Sequence, residues 1–225
     1  MINRRDFLIA SGAAIAVGGL QLRAEAIKPL QIRSRTTSYA FGKPVTEGVI
    51  SLLDNAPPPV IRLRQNEPAV IDLTNGLDEY TTMHWHGIRL PNEMDGVPYL
   101  TQFPLIKDET FRYTYTPPDA GTYCYHPHCM TMSQMALGLT GILIVEEPQD
   151  MGFDEALALN LKDFRLDAEG RLLPYFTARG AARAGTLGNT QTTNWQINPV
   201  YDVPAGGLVR LRIAVTDTTR IYKLV

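Results

Sequence analysis

The sequence has little histidine and little cysteine: four and two residues, respectively, among 225. It also lacks an excess of either charge, since 21 basic and 23 acidic residues leave a formal net charge of −2. Without a basic stripe, nothing indicates nucleic-acid binding. Beyond the N-terminal region no apolar run reaches the roughly 20 residues that span a bilayer, so we expect no stable membrane insertion once the leader is removed. The length allows one domain with a proper core and part of another.

The first 26 residues have the pattern of an export leader. The segment Asn3–Leu8 (NRRDFL) resembles a twin-arginine signal, a modestly apolar stretch covers Phe7–Leu20, and Ala24–Ala26 offers a small-residue cleavage site. The alternative is a membrane anchor, but the stretch is short and interrupted by serine and glycine. We therefore predict a signal peptide at 1–26 and a periplasmic protein, exported by the twin-arginine route, that begins near Ile27.

An exported protein with two cysteines could form a disulfide. Cys124 and Cys129 are five residues apart, so a strand running through both would point their side chains to opposite faces. That arrangement is incompatible with disulfide geometry. The sequence favours two free thiols.

All four histidines lie in two His-X-His pairs, His84-Trp85-His86 and His126-Pro127-His128. Residues i and i+2 of a strand project from the same face, so each pair presents two imidazoles side by side, and neighbouring strands would form a wall of four. Imidazole binds copper, zinc, iron and nickel. The alternative is four unrelated histidines with ordinary hydrogen bonds, but the pairing of every histidine favours a metal site. Trp85 points to the other face and is expected to pack in the core.

Short segments that alternate apolar and polar residues predict strands separated by turns, which is typical of an all-β sandwich or barrel. The predicted strands are 60–64, 69–73, 81–88, 111–115, 122–126, 156–164 and 208–215. An extended polar arm is expected at 27–43, a long loop at 89–108, a short methionine-rich helix at 130–135 and a loop at 179–194. The proline-bearing charged segment Glu146–Asp150 is the predicted domain boundary.

Three segments, Thr82–Ile88, Met94–Pro98 and Gly121–His128, resemble the first domain of the multicopper oxidases in order and spacing, and 138–145 resembles the strand that closes that domain. The resemblance is strong over 45–147 and looser to the end of the chain. It implies a cupredoxin-like Greek-key β-barrel at 27–148, followed at 149–225 by an incomplete second cupredoxin domain. The chain looks truncated, with a C-terminal cupredoxin domain missing.

The resemblance also implies copper and an oxidase activity. Family members couple one-electron oxidation of a substrate at a type 1 copper to reduction of dioxygen to water at a trinuclear cluster. By position, His84 corresponds to a ligand of the type 2 copper, and His86, His126 and His128 to ligands of the type 3 pair. Pro127 stands where a type 1 thiolate would lie, so the type 1 site is expected to be absent from this chain, and the chain alone to be inactive.

Asp95 stands where family members carry an acidic residue that helps to deliver protons; the alternative is that Asp95-Gly96 simply makes a turn. Three further readings stay open. In the first, the histidines, with Met130, Met132 and Met135, hold copper for tolerance without turnover. In the second, the histidines hold zinc, although copper is the stronger binder. In the third, the chain is a non-enzymatic scaffold of the same fold. The expected partners are dioxygen and an electron donor that the sequence does not identify.

Overall fold

The computed structural model describes residues 27–42 and 44–224, and their regular structure is almost entirely β. In chain order the strands are β1 (Leu30–Tyr39), β2 (Thr46–Ser51), β3 (Ile61–Arg64), β4 (Ala69–Asn75), β5 (His84–His86), β6 (Thr110–Tyr115), β7 (Gly121–His126), β8 (Gly141–Glu146), β9 (Glu155–Phe164), β10 (Thr190–Thr193) and β11 (Val209–Val215). The short helices are a 3-10 turn (Asn92–Met94), α1 (Thr131–Ala136) and α2 (Ala178–Ala181). No helix in this part of the chain is long and apolar enough to cross a membrane.

The strands form three sheets, with the orders β2-β1-β4-β6, β3-β8-β7-β5 and β10-β9-β11. The first two contribute the inward side chains of one apolar core that includes Ile71, Trp85, Tyr113 and Leu143. Trp85 is fully buried there, and its ring lies edge-on to the ring of Tyr113 at 5.1 Å. Replacing such a side chain by alanine typically costs about 3–5 kcal/mol. The core face of β5 is therefore fixed, and its histidines must occupy the opposite face.

The third sheet packs beside the second. Arg212 of β11 donates from Nη1 to Oγ1 of Thr122 on β7 at 3.1 Å. A second, aromatic cluster joins the regions, because Phe41 contacts both Phe164 and Trp195 with ring centroids 4.5 and 5.8 Å apart. The boundary expected near residue 148 falls between β8 and β9, and the division into two domains stays a prediction.

Three sequence-based expectations are wrong in detail. The polar arm expected at 27–43 is extended, as expected, but it contains β1, which pairs in parallel with β4 and so belongs to the sheet. The inward positions of β1 include the small polar Ser34, so the sequence did not show an alternation of apolar and polar residues there. The strand expected at 81–88 is reduced to the three residues of β5. The loop expected at 179–194 contains most of α2 and all of β10. The short helix after the second histidine pair is confirmed. The leader at 1–26 lies outside the described residues.

Candidate metal centre

The antiparallel pairing of β5 with β7 brings the two histidine pairs together. His84 is directly opposite His126, and Trp85 is opposite Tyr125. Cross-strand partners share a face, so the two aromatic residues enter the core while the imidazoles line the other face. His128 follows just beyond the end of β7 and completes the group. We call these four residues the imidazole wall.

The four rings of the wall lie close together. The His84 and His128 rings are stacked, with centroids 4.3 Å apart and planes 21° from parallel, and each neighbours His126 at 5.2 to 5.3 Å. One potential ligand atom from each of these three residues lies within 4.8 Å of the others. The predicted wall is thus present, and three of its four members form a group with metal-binding spacing.

His86 joins the wall through His126. Nδ1 of His86 lies 3.2 Å from Nε2 of His126. Two nitrogens bound to one ion at about 2.0 Å, with an angle between 90° and 109°, would be about 2.8–3.3 Å apart. This distance is that of a hydrogen bond between the two imidazoles, and it also falls within the range for two ligands of a single ion. We call His86 with His126 the His86 end of the wall.

The opposite end is oriented by the loop that follows the 3-10 turn. Nδ1 of His84 lies 2.8 Å from the backbone oxygen of Asp95 and 3.3 Å from its carboxylate Oδ1. Acceptors at Nδ1 hold the proton on that nitrogen and leave the Nε2 lone pair for a metal. The carboxylate is about one-third exposed, whereas the His84 side chain is 16% exposed. We call His84 with His128 the Asp95 end of the wall.

Gly96 allows that loop to approach β5, a role beyond the turn that the Asp95-Gly96 pair indicates in the sequence. Its φ is +77°, and a Cβ at this position would lie 1.9 Å from the backbone oxygen of Met83. A side chain there would push the loop away from His84. The Asp-Gly turn signal was visible in the sequence, but the close contact with the strand was not.

Burial keeps two rings of the wall, His126 and His128, in the form that binds metals. It lowers the pKa of His126 to about 4, with a further contribution from the neighbouring imidazoles, and it also lowers the pKa of His128. Both rings are therefore neutral near pH 7, and neutral imidazole is the form that binds metals. His126 donates from Nδ1 to the oxygen of Pro127 at 3.1 Å, which leaves Nε2 facing His86.

The cysteines are both free thiols, as expected. The reason given from the sequence was wrong, because β7 ends before Cys129 and no single strand runs through both cysteines. Burial raises the pKa of the Cys124 thiol to about 11, so it is protonated near pH 7. Beyond the wall, the side chains of Met130 and Met132 are more than half exposed.

Comparisons with known proteins agree with this geometry. The family model described as multicopper oxidase matches residues 34–150, just over half of the chain. Copper resistance protein A of Escherichia coli is 29% identical over 72% of this chain and 29% of its own length. The iron transport multicopper oxidase FET3 of Candida albicans is 32% identical over 67% of this chain and 26% of its own length.

A solved multicopper oxidase from Pseudomonas thermotolerans superimposes with a TM-score of 0.79 and 40% identity, covering 86% of this chain and 48% of that one. The chain thus spans less than a third of these sequence relatives and about half of the solved structure. Its β architecture is the cupredoxin-like one of such neighbours. The chain belongs to the multicopper oxidase family.

Proposed function

We propose that this chain supplies half of the ligands of a trinuclear copper centre, in an oxidase that couples one-electron oxidation of a donor to reduction of dioxygen to water. The observation that carries the proposal is the imidazole wall, in which three histidines place ligand atoms within 4.8 Å of one another and a fourth lies 3.2 Å from one of them. A wall of this kind leaves bound ions open on the opposite side, where further ligands and dioxygen can approach.

The geometry supports a distribution over three ions. The His84 and His128 rings are nearly parallel, so their nitrogen lone pairs point side by side rather than at one point. We therefore assign them to separate ions, with His84 on the type 2 copper and His128 on one type 3 copper. His86 and His126 have the spacing of joint ligands and would share the other type 3 copper.

Copper, when bound, would supply the one-electron steps that carry electrons to dioxygen. The residues of the wall hold the ions in place, and burial keeps His126 and His128 neutral near pH 7 by lowering the pKa of each ring. Asp95 has a different role, because its partly exposed carboxylate lies 3.3 Å from His84 Nδ1 and so reaches from solvent to the wall. We propose that Asp95 takes up protons from solvent at its carboxylate and passes them toward the site where dioxygen is reduced.

The remaining parts of the reaction belong to residues outside this chain. Its four histidines are all used in the wall, so the type 1 copper, which needs two histidines and a thiolate, would be held elsewhere, together with the other cluster ligands. The names of two relatives mention iron transport and copper resistance, which makes reduced metal ions candidate donors beside phenols. We further propose export to the periplasm by the twin-arginine route, on the Arg4-Arg5 motif.

A second candidate is copper binding for tolerance, without turnover. The name of the Escherichia coli relative favours it, and so do the exposed thioethers of Met130 and Met132, since thioethers are soft ligands that suit Cu(I). This candidate needs copper at the methionines, whereas the oxidase needs it at the wall.

The test is metal loading of the 225-residue chain. We expect the chain to bind copper in preference to zinc, with a type 2 electron paramagnetic resonance signal and without the intense blue absorption of a type 1 site. A strong blue band would contradict the assignment of the type 1 copper to another part of the protein. Preference for zinc, or loss of copper on replacing Met130 and Met132 by leucine, would contradict the proposed cluster.

A further inference from the structure

We propose that Tyr113 and Gln102 are positioning residues for the copper ion at His84, which rests on the function proposed above. The hydroxyl of Tyr113 accepts a hydrogen bond from the backbone N–H of Met83 at 3.0 Å and donates one to Oε1 of Gln102 at 2.8 Å. One buried hydroxyl thus joins three separate segments of the chain. These are β6, the residue that precedes His84, and the loop after Gly96.

The backbone at Met83 needs such a partner. β5 is three residues long and lies at the edge of its sheet, so β7 holds it from one side only. Met83 is fully buried, and a buried N–H without an acceptor is destabilising because it has lost its hydrogen bond to water. Tyr113 reaches across the core from the first sheet to supply the acceptor. Its ring is itself fixed by packing against Trp85.

Gln102 connects the same hydroxyl to the loop that orients His84. The backbone oxygen of Asp95 is the acceptor for His84 Nδ1, and Gly96 packs directly on the backbone of Met83. Holding Gln102 at the Tyr113 hydroxyl therefore fixes the loop against the strand. The imidazole and its acceptor keep one relative position, which sets the direction of the His84 Nε2 lone pair.

Tyr115 provides a matched control on the same strand. It lies two residues from Tyr113, is also buried, and packs on Trp85 with ring centroids 5.8 Å apart. Its hydroxyl, however, has no hydrogen-bond partner among the residues that the structure describes. Replacing either tyrosine by phenylalanine removes one phenolic hydroxyl from the same core. Only at Tyr113 does the change also remove hydrogen bonds, those to Met83 and Gln102.

The experiment measures the affinity of the chain for Cu(II) in the His86→Ala background, where the His86 end cannot form. We expect Tyr113→Phe to weaken binding about tenfold, the lower range for residues that orient metal ligands, and to alter the copper hyperfine splitting. Tyr115→Phe should leave both unchanged. Gln102→Met removes the second contact and keeps the tyrosine, and it should also weaken copper binding. This variant tests the proposal if Tyr113→Phe fails to fold.

A double-mutant cycle separates positioning from general stability. In a His84→Ala background the effect of Tyr113→Phe on the remaining copper affinity should vanish, because the ligand that it positions is gone. A loss that persists there, or equal losses in the two tyrosine variants, would overturn the proposal while leaving the proposed copper site intact. Failure of the parent chain itself to bind copper would overturn the proposed function, and this inference with it.

Discussion

The two ends of the imidazole wall each take one histidine from each His-X-His pair, but they differ in how they are held. At the Asp95 end, His84 has an acceptor at Nδ1, stacks on His128 and is mostly buried. At the His86 end, His86 is exposed and its Nδ1 faces another imidazole. The first end is oriented by the protein before metal binds, whereas an ion would complete the second. The two histidines of one motif thus acquire different environments, because the loop that carries Asp95 lies against His84 and not against His86.

The strongest test of this comparison removes the Asp95 end. We expect the double variant His84→Ala/His128→Ala to lose most copper binding, because two separate ions each lose a ligand and the remaining pair can hold one ion at most. Equilibrium dialysis with metal analysis measures the stoichiometry. Met130→Leu/Met132→Leu is the control, and it should bind as much copper as the parent chain. Unchanged stoichiometry in the histidine variant would contradict the ligand assignment.

Removing the other end should cost less. His86→Ala is expected to lose one copper ion and to keep the type 2 signal of the ion at His84, because His84 keeps its acceptor and its stacking partner. A titration followed by electron paramagnetic resonance measures both quantities. Should the type 2 signal disappear as well, the two ends would be coupled and the separate assignment would be wrong.

The contrast between the two ends also shows which parts of the site the sequence could predict. The spacing of His84 and His86 fixed their common face, because strand geometry is local, and the resemblance supplied the pairing with His126. The acceptor for His84 is a backbone oxygen, which every residue possesses, so no side-chain pattern could indicate it. The same limit applies to β1, where the inward Ser34 is polar because it contacts Asn75. Contacts of this kind depend on the tertiary fold.

The His86 end also makes the metal-free chain sensitive to pH. The pKa of His126 is about 4 in the folded chain and about 6.5 in an unfolded one. The unfolded state therefore binds more protons between these values, and the free energy of unfolding should rise as pH increases from about 4 to 6.5. The upper limit is about 3 kcal/mol, reduced by solvent screening of a partly exposed ring.

Urea unfolding of the metal-free chain across this pH range measures the effect. His126→Gln, which cannot titrate, should remove most of the slope and leave the contribution of His128, whose pKa is also lowered by burial. His86→Gln, which removes an exposed ring, should flatten the curve less. A parent curve that stays level between pH 4 and 6.5 would show that His126 is accessible to protons in the folded state. The His86 end would then be no less solvated than the surface.

The smallest expected effect concerns Asp95. Asp95→Asn should change the affinity for the ion at His84 by less than about threefold, because the backbone oxygen at 2.8 Å remains and the altered carboxyl group is the more distant acceptor at 3.3 Å. Isothermal titration in the His86→Ala background measures this change. A tenfold loss would mean that the carboxylate orients His84. A small loss of affinity would mean that the carboxylate is not needed to orient His84 and can exchange protons with solvent, as the proposed proton delivery requires.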